Sequence, residues 1–171
     1  AVASRDAGRR ERFRSLVDGV RAFAEPQALL DDVELILVAV PDDAIAPLAA
    51  SLRMYSGQAM VHTSGALDAD ALAPAMAAGT QVGAFHPLVA FADTERAVAA
   101  LHGATIAIEA DDQLAALLAD MAEAIGAHPV RLARLTPPPA HFTAVSSASA
   151  ASSACGIVRN PTAPTALATS R

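Results

Sequence analysis

An unbroken apolar run that ends in a proline-led turn constrains the fold more than any other part of this sequence. Residues 35–40 read Leu-Ile-Leu-Val-Ala-Val, and Pro41-Asp42-Asp43 follows. A strand that is apolar at every position is typical of a parallel sheet that helices cover on both faces. The turn then begins a helix, since Asp42 or Asp43 can cap residues 44–52. The run therefore predicts an interior strand of an α/β domain.

The same alternation of strand and helix continues to about Leu132. Further strands are expected at residues 1–3, 20–24, 59–62, 81–85, 105–109 and 129–132. Helices are expected between them, at residues 6–17, 44–52, 68–78, 93–101 and 111–125, with a brief helix opened by Pro26. This order predicts an α/β fold with a doubly wound, mostly parallel sheet. From about Leu135 a proline run and a Ser- and Ala-rich tail follow, which predict little fixed structure.

Composition excludes several classes of protein. The 171 residues, 53% of them hydrophobic, suffice for one domain with a core. A net charge of -6 argues against a nucleic-acid-binding protein, and no apolar run is long enough to cross a membrane. The single cysteine and the lack of a signal peptide favour a cytoplasmic protein. The five histidines lack metal-ligand spacing, so no metal site is expected.

Polar and small residues stand at the strand ends, where a doubly wound sheet binds its ligands. Ser4 and Arg5 follow the first strand, where the adenosine ribose of a dinucleotide would lie if another strand precedes it. A hydroxyl and a guanidinium there suit a 2′-phosphate, although a surface arginine remains the alternative. Residues 39–42 could line a cofactor cleft, and an ordinary strand with a helix start fits them equally well.

Two further strand ends carry the candidate chemistry. Thr63, Ser64 and Gly65 could turn backbone N–H groups toward an anion or a carbonyl, or could simply cap the next helix. His86, followed by Pro87, is the best acid/base candidate, because imidazole titrates near neutral pH. We expect it beside the Thr63-Ser64 turn, although a lone histidine is more often structural.

Four strings carry a resemblance to a known family: VELILVAVPDDAIAPLA, VHTSGALDADALAP, VGAFHPLVAFAD and LHGATIAIEAD. Together they resemble bacterial Rossmann-like oxidoreductases joined to a C-terminal domain of unknown function. That group is part of the superfamily of 6-phosphogluconate dehydrogenase, pyrroline-5-carboxylate reductase and prephenate dehydrogenase. The resemblance runs from about Ala1 to Leu132. It implies NADP as cofactor, with NAD or a deazaflavin as alternatives, and a full-length homodimer.

The resemblance also implies a role for each candidate residue. Ser4 and Arg5 would hold the 2′-phosphate, and Ala39, Val40, Pro41 and Asp42 would line the cofactor cleft with Thr63. Ser64, Gly65 and His86 would face the nicotinamide and the substrate. Prephenate dehydrogenases have a similar His-Pro element, whose catalytic histidine lies beside a serine from the preceding strand end. That similarity makes His86 and Ser64 the expected catalytic pair.

The sequence departs from that family at both ends. The family's opening strand and its G-x-G-x-x-G turn are missing, although those glycines let the backbone approach the pyrophosphate. We therefore expect a fragment or a frame-disrupted product. Residues 1–85 would form a truncated NAD(P)-binding domain, residues 86–134 would continue the sheet into the second domain, and residues 135–171 would be a low-complexity or incomplete helical tail.

These observations lead to three hypotheses. The first is an NADP-dependent oxidoreductase, or a fragment of one, that acts on a small carbonyl, imine or hydroxy acid. The second is a non-catalytic nucleotide-sensing or scaffold domain. The third is a different mononucleotide-binding α/β protein, which would not explain why the 62–66 turn and His86 coincide. A small-molecule substrate is the expected partner.

Overall fold

The computed structural model describes residues 1–91 and 94–133, and its elements follow the predicted order. Apolar runs such as residues 35–38 form strands, and helices lie between successive strands. The strands are Val2–Ala3 (β1), Ala22–Phe23 (β2), Leu35–Val38 (β3), Ala59–His62 (β4), Gln81–Pro87 (β5), Thr105–Glu109 (β6) and His128–Arg131 (β7). The helices are Ala7–Leu16 (α1), Gln27–Leu30 (α2), Asp42–Ser51 (α3), Ala73–Met76 (α4), Thr94–Leu101 (α5) and Asp112–Ala124 (α6), with a 3₁₀ helix at Ala69–Leu72.

The larger sheet has the order β3-β4-β5-β6-β7 and is mostly parallel, as predicted. Its one antiparallel pair is β5 with β6, whereas β3–β4, β4–β5 and β6–β7 are parallel. Buried strand residues face helices on both sides, which explains the continuous apolar pattern. The predicted α/β fold with a mostly parallel sheet is therefore confirmed.

A second, two-stranded sheet joins β1 to β2 in parallel. Within residues 1–91 and 94–133, no strand pairing joins it to β3, yet Ala3 packs in the same core cluster as Ile36 and Val38. The interruption in strand pairing thus lies between β1 and β3. A preceding strand that completes the sheet here is still a prediction.

The two faces of the larger sheet carry different cores. On one face, Ile36, Met60 and Val82 pack with Ile45 of α3 and Leu72 of the 3₁₀ helix. The other face packs Val61, Phe85, Ile106 and Ile108 against Leu114 and Leu118 of α6. Because side chains alternate along a strand, His62, Ala84 and Glu109 form one row across the first face.

Three local predictions need correction. The helix expected over residues 68–78 is a 3₁₀ turn followed by α4, because Pro74 has no N–H to donate to the Asp70 carbonyl. β5 runs on through Pro87, since β6 pairs with it there and β4 has already ended. Pro41 is the N-cap of α3, which begins at Asp42, and no side chain caps it.

Some predictions fall outside the described residues. These are the tail at residues 135–171 and the start of the helix expected from Asp93. Among the helices of the described part of the chain, none combines the length and the apolar character needed to cross a membrane.

Candidate active site

The ends of β3, β4 and β5 meet at one edge of the larger sheet. The Thr63 N–H donates to the Val38 carbonyl at 3.2 Å, which extends the β3–β4 ladder into the turn. On the other side of the turn, Nδ1 of His86 lies 3.3 Å from the Thr63 carbonyl oxygen. The structure thus brings His86 and the Thr63 turn together at the edge where a doubly wound sheet binds ligands.

The Thr63 carbonyl determines which nitrogen of His86 carries the proton. A carbonyl oxygen can only accept, so Nδ1 donates to it and Nε2 keeps the lone pair in the neutral imidazole. His86 is half-buried, and the pairing of β5 with β6 holds its backbone opposite Ala107. This arrangement suits a proton acceptor whose orientation a backbone group maintains.

Gly65 lies against the ring of His86. A Cβ at this position would be 2.3 Å from both Cε1 and Nε2 of His86 and 2.9 Å from Cδ2. The φ angle of Gly65 is not in the left-handed region, so the close approach of the ring, rather than the backbone conformation, requires a glycine. Gly65 therefore lets the turn contact the face of a candidate acid/base.

Ser64 faces inward but makes a local bond. Its side chain is buried, and its Oγ accepts a hydrogen bond from the Ala66 N–H at 3.1 Å. That bond closes a tight turn and leaves the hydroxyl proton to donate. Among residues 1–91 and 94–133, the hydrogen bond of His86 is made to the carbonyl of Thr63 rather than to the hydroxyl of Ser64. The predicted pairing of Ser64 with His86 stays a prediction.

The residues predicted to line the cofactor cleft lie directly after β3. Ala39 and Val40 are half-buried, and Val40 packs against the core of the first face. Pro41 and Asp42 are exposed, and Asp42 adds a negative charge to the first turn of α3, where it stabilises the helix. Ala39 directly follows Val38, whose carbonyl accepts from the Thr63 N–H, so the start of this segment lies next to the Thr63 turn.

Ser4 and Arg5 lie between β1 and α1. The Ser4 hydroxyl accepts from the Asp6 N–H at 3.2 Å, and the side chain of Arg10 donates to the Ser4 carbonyl. Asp6 caps α1 by accepting from the Arg9 N–H, and this bond lowers the pKa of Asp6. The exposed guanidinium of Arg5 makes no hydrogen bond or ion pair within the described part of the chain. Arg5, Arg9 and Arg10 thus follow this strand end within a few residues of one another, and the side chain of Arg10 contacts it.

Sequence reasoning missed a pair of buried polar residues beneath the turn. His62 is fully buried, and its Nε2 lies 2.8 Å from the Asp68 carbonyl oxygen. Glu109 is 8% exposed, and its carboxylate accepts from the Ala69 N–H at 3.2 Å. Burial lowers the pKa of His62, and the bond to Asp68 and the nearby carboxylates, Glu109 foremost, only partly oppose this. A charged residue at the end of an apolar strand was the only sequence signal for Glu109.

Other features of the described residues do not form a second centre. A pocket of about 290 Å³ is lined by Asp68, Glu109, Leu132 and Ala133, and neither Thr63, Ser64 and Gly65 nor His86 contributes to this lining. Residues 1–91 and 94–133 hold no group of three or more His, Cys, Asp or Glu side chains that could bind a metal ion. The candidate chemistry therefore concentrates at the edge formed by β3, β4 and β5.

Known structures share this fold. Prephenate dehydrogenase from Aquifex aeolicus is similar with a TM-score of 0.63 at 11% identity, over 77% of this chain and 51% of that one. Arogenate dehydrogenase from Synechocystis gives a TM-score of 0.62 at 18% identity, over 77% of this chain and 50% of that one. A Bacteroides fragilis protein named as an NADP oxidoreductase gives 0.56 at 20% identity, over 75% and 49%. At these identities the likeness shows the fold alone.

The chain spans about half the length of these structures. No curated protein matches its sequence. The model of the Rossmann-like domain family matches residues 1–87, just over half of the 171 residues. The chain therefore belongs to the Rossmann-like domain family.

Proposed function

We propose that this chain is the nucleotide-binding part of an NADP-dependent oxidoreductase that acts on a small carbonyl, imine or hydroxy acid. One observation carries the proposal: the imidazole of His86, oriented by the Thr63 carbonyl, lies at the ligand-binding edge of a Rossmann-like sheet. Solved structures with this fold include dehydrogenases and a protein named as an NADP oxidoreductase. These neighbours support a nicotinamide cofactor.

The donor set around the first loop fits the phosphorylated end of NADP. Ser4 offers a hydroxyl, and Arg5 offers an exposed guanidinium that no other described group engages. Arg9 and Arg10 add positive charge on the first turn of α1, in a chain whose net charge is -6. A guanidinium fork matches phosphate oxygens well, whereas a free ribose hydroxyl would call for an acidic residue.

The residues at the ends of β4 and β5 would bind the substrate and transfer its proton. The cofactor, when bound, would supply or accept the hydride. Nε2 of His86 would take a proton from a substrate hydroxyl, or return one, while Nδ1 keeps its bond to the Thr63 carbonyl. Ser64 and the backbone near Gly65 would orient the substrate, and residues 39–42 with Thr63 would line the cleft.

The break between β1 and β3 suggests what the full-length protein adds. We propose that a preceding strand occupies the interval between the two sheets and carries the turn that approaches the pyrophosphate. Ser4 and Arg5 would then recognise the adenosine end without that turn. This separation allows the adenosine subsite to be tested in the 171-residue chain itself.

The test compares two fragments of the cofactor, adenosine 2′,5′-bisphosphate and adenosine 5′-monophosphate, by isothermal titration. We expect the bisphosphate to bind about tenfold more tightly, since a hydrogen bond to a charged group contributes about 1.5 kcal/mol. Arg5→Ala should abolish the preference. Arg12→Ala is the matched control, because it removes the same charge from an exposed position further along α1. Equal affinity for both fragments, or an equal loss in both variants, would contradict the NADP assignment.

A further inference from the structure

One peptide group beneath the candidate site is held from two strands at once. The Asp68 carbonyl and the Ala69 N–H belong to the same peptide unit. His62 on β4 donates to the carbonyl at 2.8 Å, and Glu109 on β6 accepts from the N–H at 3.2 Å. We call His62, Glu109 and this peptide the peptide clamp.

Sheet register explains how two distant residues reach one peptide. His62 lies opposite Ala84 of β5, and Ala84 lies opposite Glu109. The three side chains therefore line one row on the same face, and the small Ala84 side chain stands between the two polar ones. The peptide thus bridges β4 and β6 across β5.

The bond from the Ala69 N–H to Glu109 is buried and the bond from His62 to the Asp68 carbonyl is partly buried, so the two together restrain the peptide. His62 is 0% exposed and Glu109 is 8% exposed. A buried polar group without a partner is costly, so opening the clamp would leave two acceptors and two donors to be satisfied elsewhere. Burial also lowers the pKa of His62, which keeps the ring neutral with its proton on Nε2.

The clamp closes the loop that contacts His86. Residues 63–67 leave β4 at His62 and return at the clamped peptide. The bond from the Thr63 N–H to the Val38 carbonyl fixes the start of this loop, and the clamp fixes its end. Between these points lie the Thr63 carbonyl that accepts from His86 and Gly65 against the His86 ring.

We propose that His62 and Glu109 are positioning residues, which set the orientation and tautomer of His86 by clamping the Asp68–Ala69 peptide. The catalytic meaning of this role rests on the proposed function, but the orientation of the ring does not. Neither residue belongs to the loop that contacts His86. Their effect on His86 therefore passes through the loop backbone.

The test uses ¹⁵N-labelled histidine in the 171-residue chain and reads the tautomer of His86 from its ring-nitrogen shifts. In the wild type we expect the Nδ1–H form to predominate. His62→Leu and Glu109→Leu, which remove the clamp bonds, should shift His86 toward the tautomer mixture of a free histidine. His62→Gln and Glu109→Gln keep a donor and an acceptor and should largely restore the wild-type shifts. Val82→Ala removes core volume on the same face without touching the clamp, and should leave His86 unchanged.

Hydrogen exchange of the wild type provides a second measurement that needs no variant. The Ala69 N–H precedes the first internal bond of a short 3₁₀ helix, where amides usually exchange quickly. The clamp predicts protection comparable to that of the β5 amides. Exchange as fast as that of exposed loop amides would overturn the proposal, even if the leucine variants failed to fold.

The outcomes separate this inference from the proposed function. Unchanged His86 shifts in folded His62→Leu and Glu109→Leu would overturn the positioning role, whatever the protein catalyses. Altered shifts in a protein without NADP binding would support the role and count against the oxidoreductase. If turnover is found, the leucine variants should lower kcat about tenfold or more, with cofactor affinity unchanged.

Discussion

Replacing Gly65 with alanine should separate stability from activity. The added Cβ would lie 2.3 Å from two ring atoms of His86, whereas carbon atoms in contact prefer about 3.5 Å. The ring must therefore retreat by about 1.2 Å or more. The bond from Nδ1 to the Thr63 carbonyl is already 3.3 Å long, so this movement breaks it.

Opposing terms keep the cost in stability small. The lost bond destabilises the fold by about 0.5–1.5 kcal/mol. Alanine restricts the unfolded chain and returns about 0.4–1 kcal/mol, because the backbone at Gly65 is not in the left-handed region. The free energy of unfolding should therefore change by less than about 1 kcal/mol. Turnover should fall by about two orders of magnitude, since a displacement of roughly 1 Å has that effect on a catalytic group.

Urea unfolding measures the free energy of unfolding. The oxidation of NADPH in the presence of a panel of small 2-oxo acids and imines measures turnover. His86→Ala provides the control background: without the imidazole, Gly65→Ala meets no ring and should leave the free energy of unfolding unchanged or slightly raised. Turnover within threefold of the wild type, or a large loss of stability in both backgrounds, would refute the argument from close approach.

Three further predictions concern single side chains. Burial lowers the pKa of His62, so below about pH 6.5 the unfolded chain binds a proton more readily than the folded chain does. The free energy of unfolding should therefore fall by up to about 1.4 kcal/mol per pH unit until the pKa of the folded state is reached. His62→Gln should flatten this dependence, and a pH profile of thermal unfolding that the substitution leaves unaltered would contradict the prediction. Gln58 is buried, and its side chain donates to two carbonyls and accepts from one N–H. Gln58→Leu should therefore lower the free energy of unfolding in urea by about 2–4 kcal/mol. Gln81→Leu, at a partly exposed site, should lower it by less than about 1 kcal/mol. His86→Ala should abolish turnover yet leave NADP affinity unchanged by titration; retained turnover would remove this residue from the mechanism.

The sequence predicted those parts of the fold that depend on local pattern. The run from Leu35 was recognisable as a buried strand because it is apolar on both faces, and Ala59–His62 followed for the same reason. Residues that depend on long-range partners were harder to place. The antiparallel pairing that carries β5 through Pro87 depends on β6, about twenty residues away, and nothing local indicates its direction.

The candidate site shows the same division. The turn at Thr63 and the imidazole of His86 were expected to meet, because adjacent parallel strands end at one edge, and they do. The roles of His62 and Glu109 were not foreseen. The Glu109 carboxylate meets a backbone N–H forty residues away, and such a pairing follows only from the register of three strands.

The most direct test of the account is a titration of the ¹⁵N-labelled 171-residue chain with NADP, followed by amide and histidine signals. The account predicts that shifts concentrate at residues 4–5, 39–42 and 63–65 and at the His86 ring, which are the strand ends of one sheet edge. Shifts confined to other surfaces, or binding that leaves His86 unperturbed, would contradict the central claim that this edge is the NADP-dependent active site.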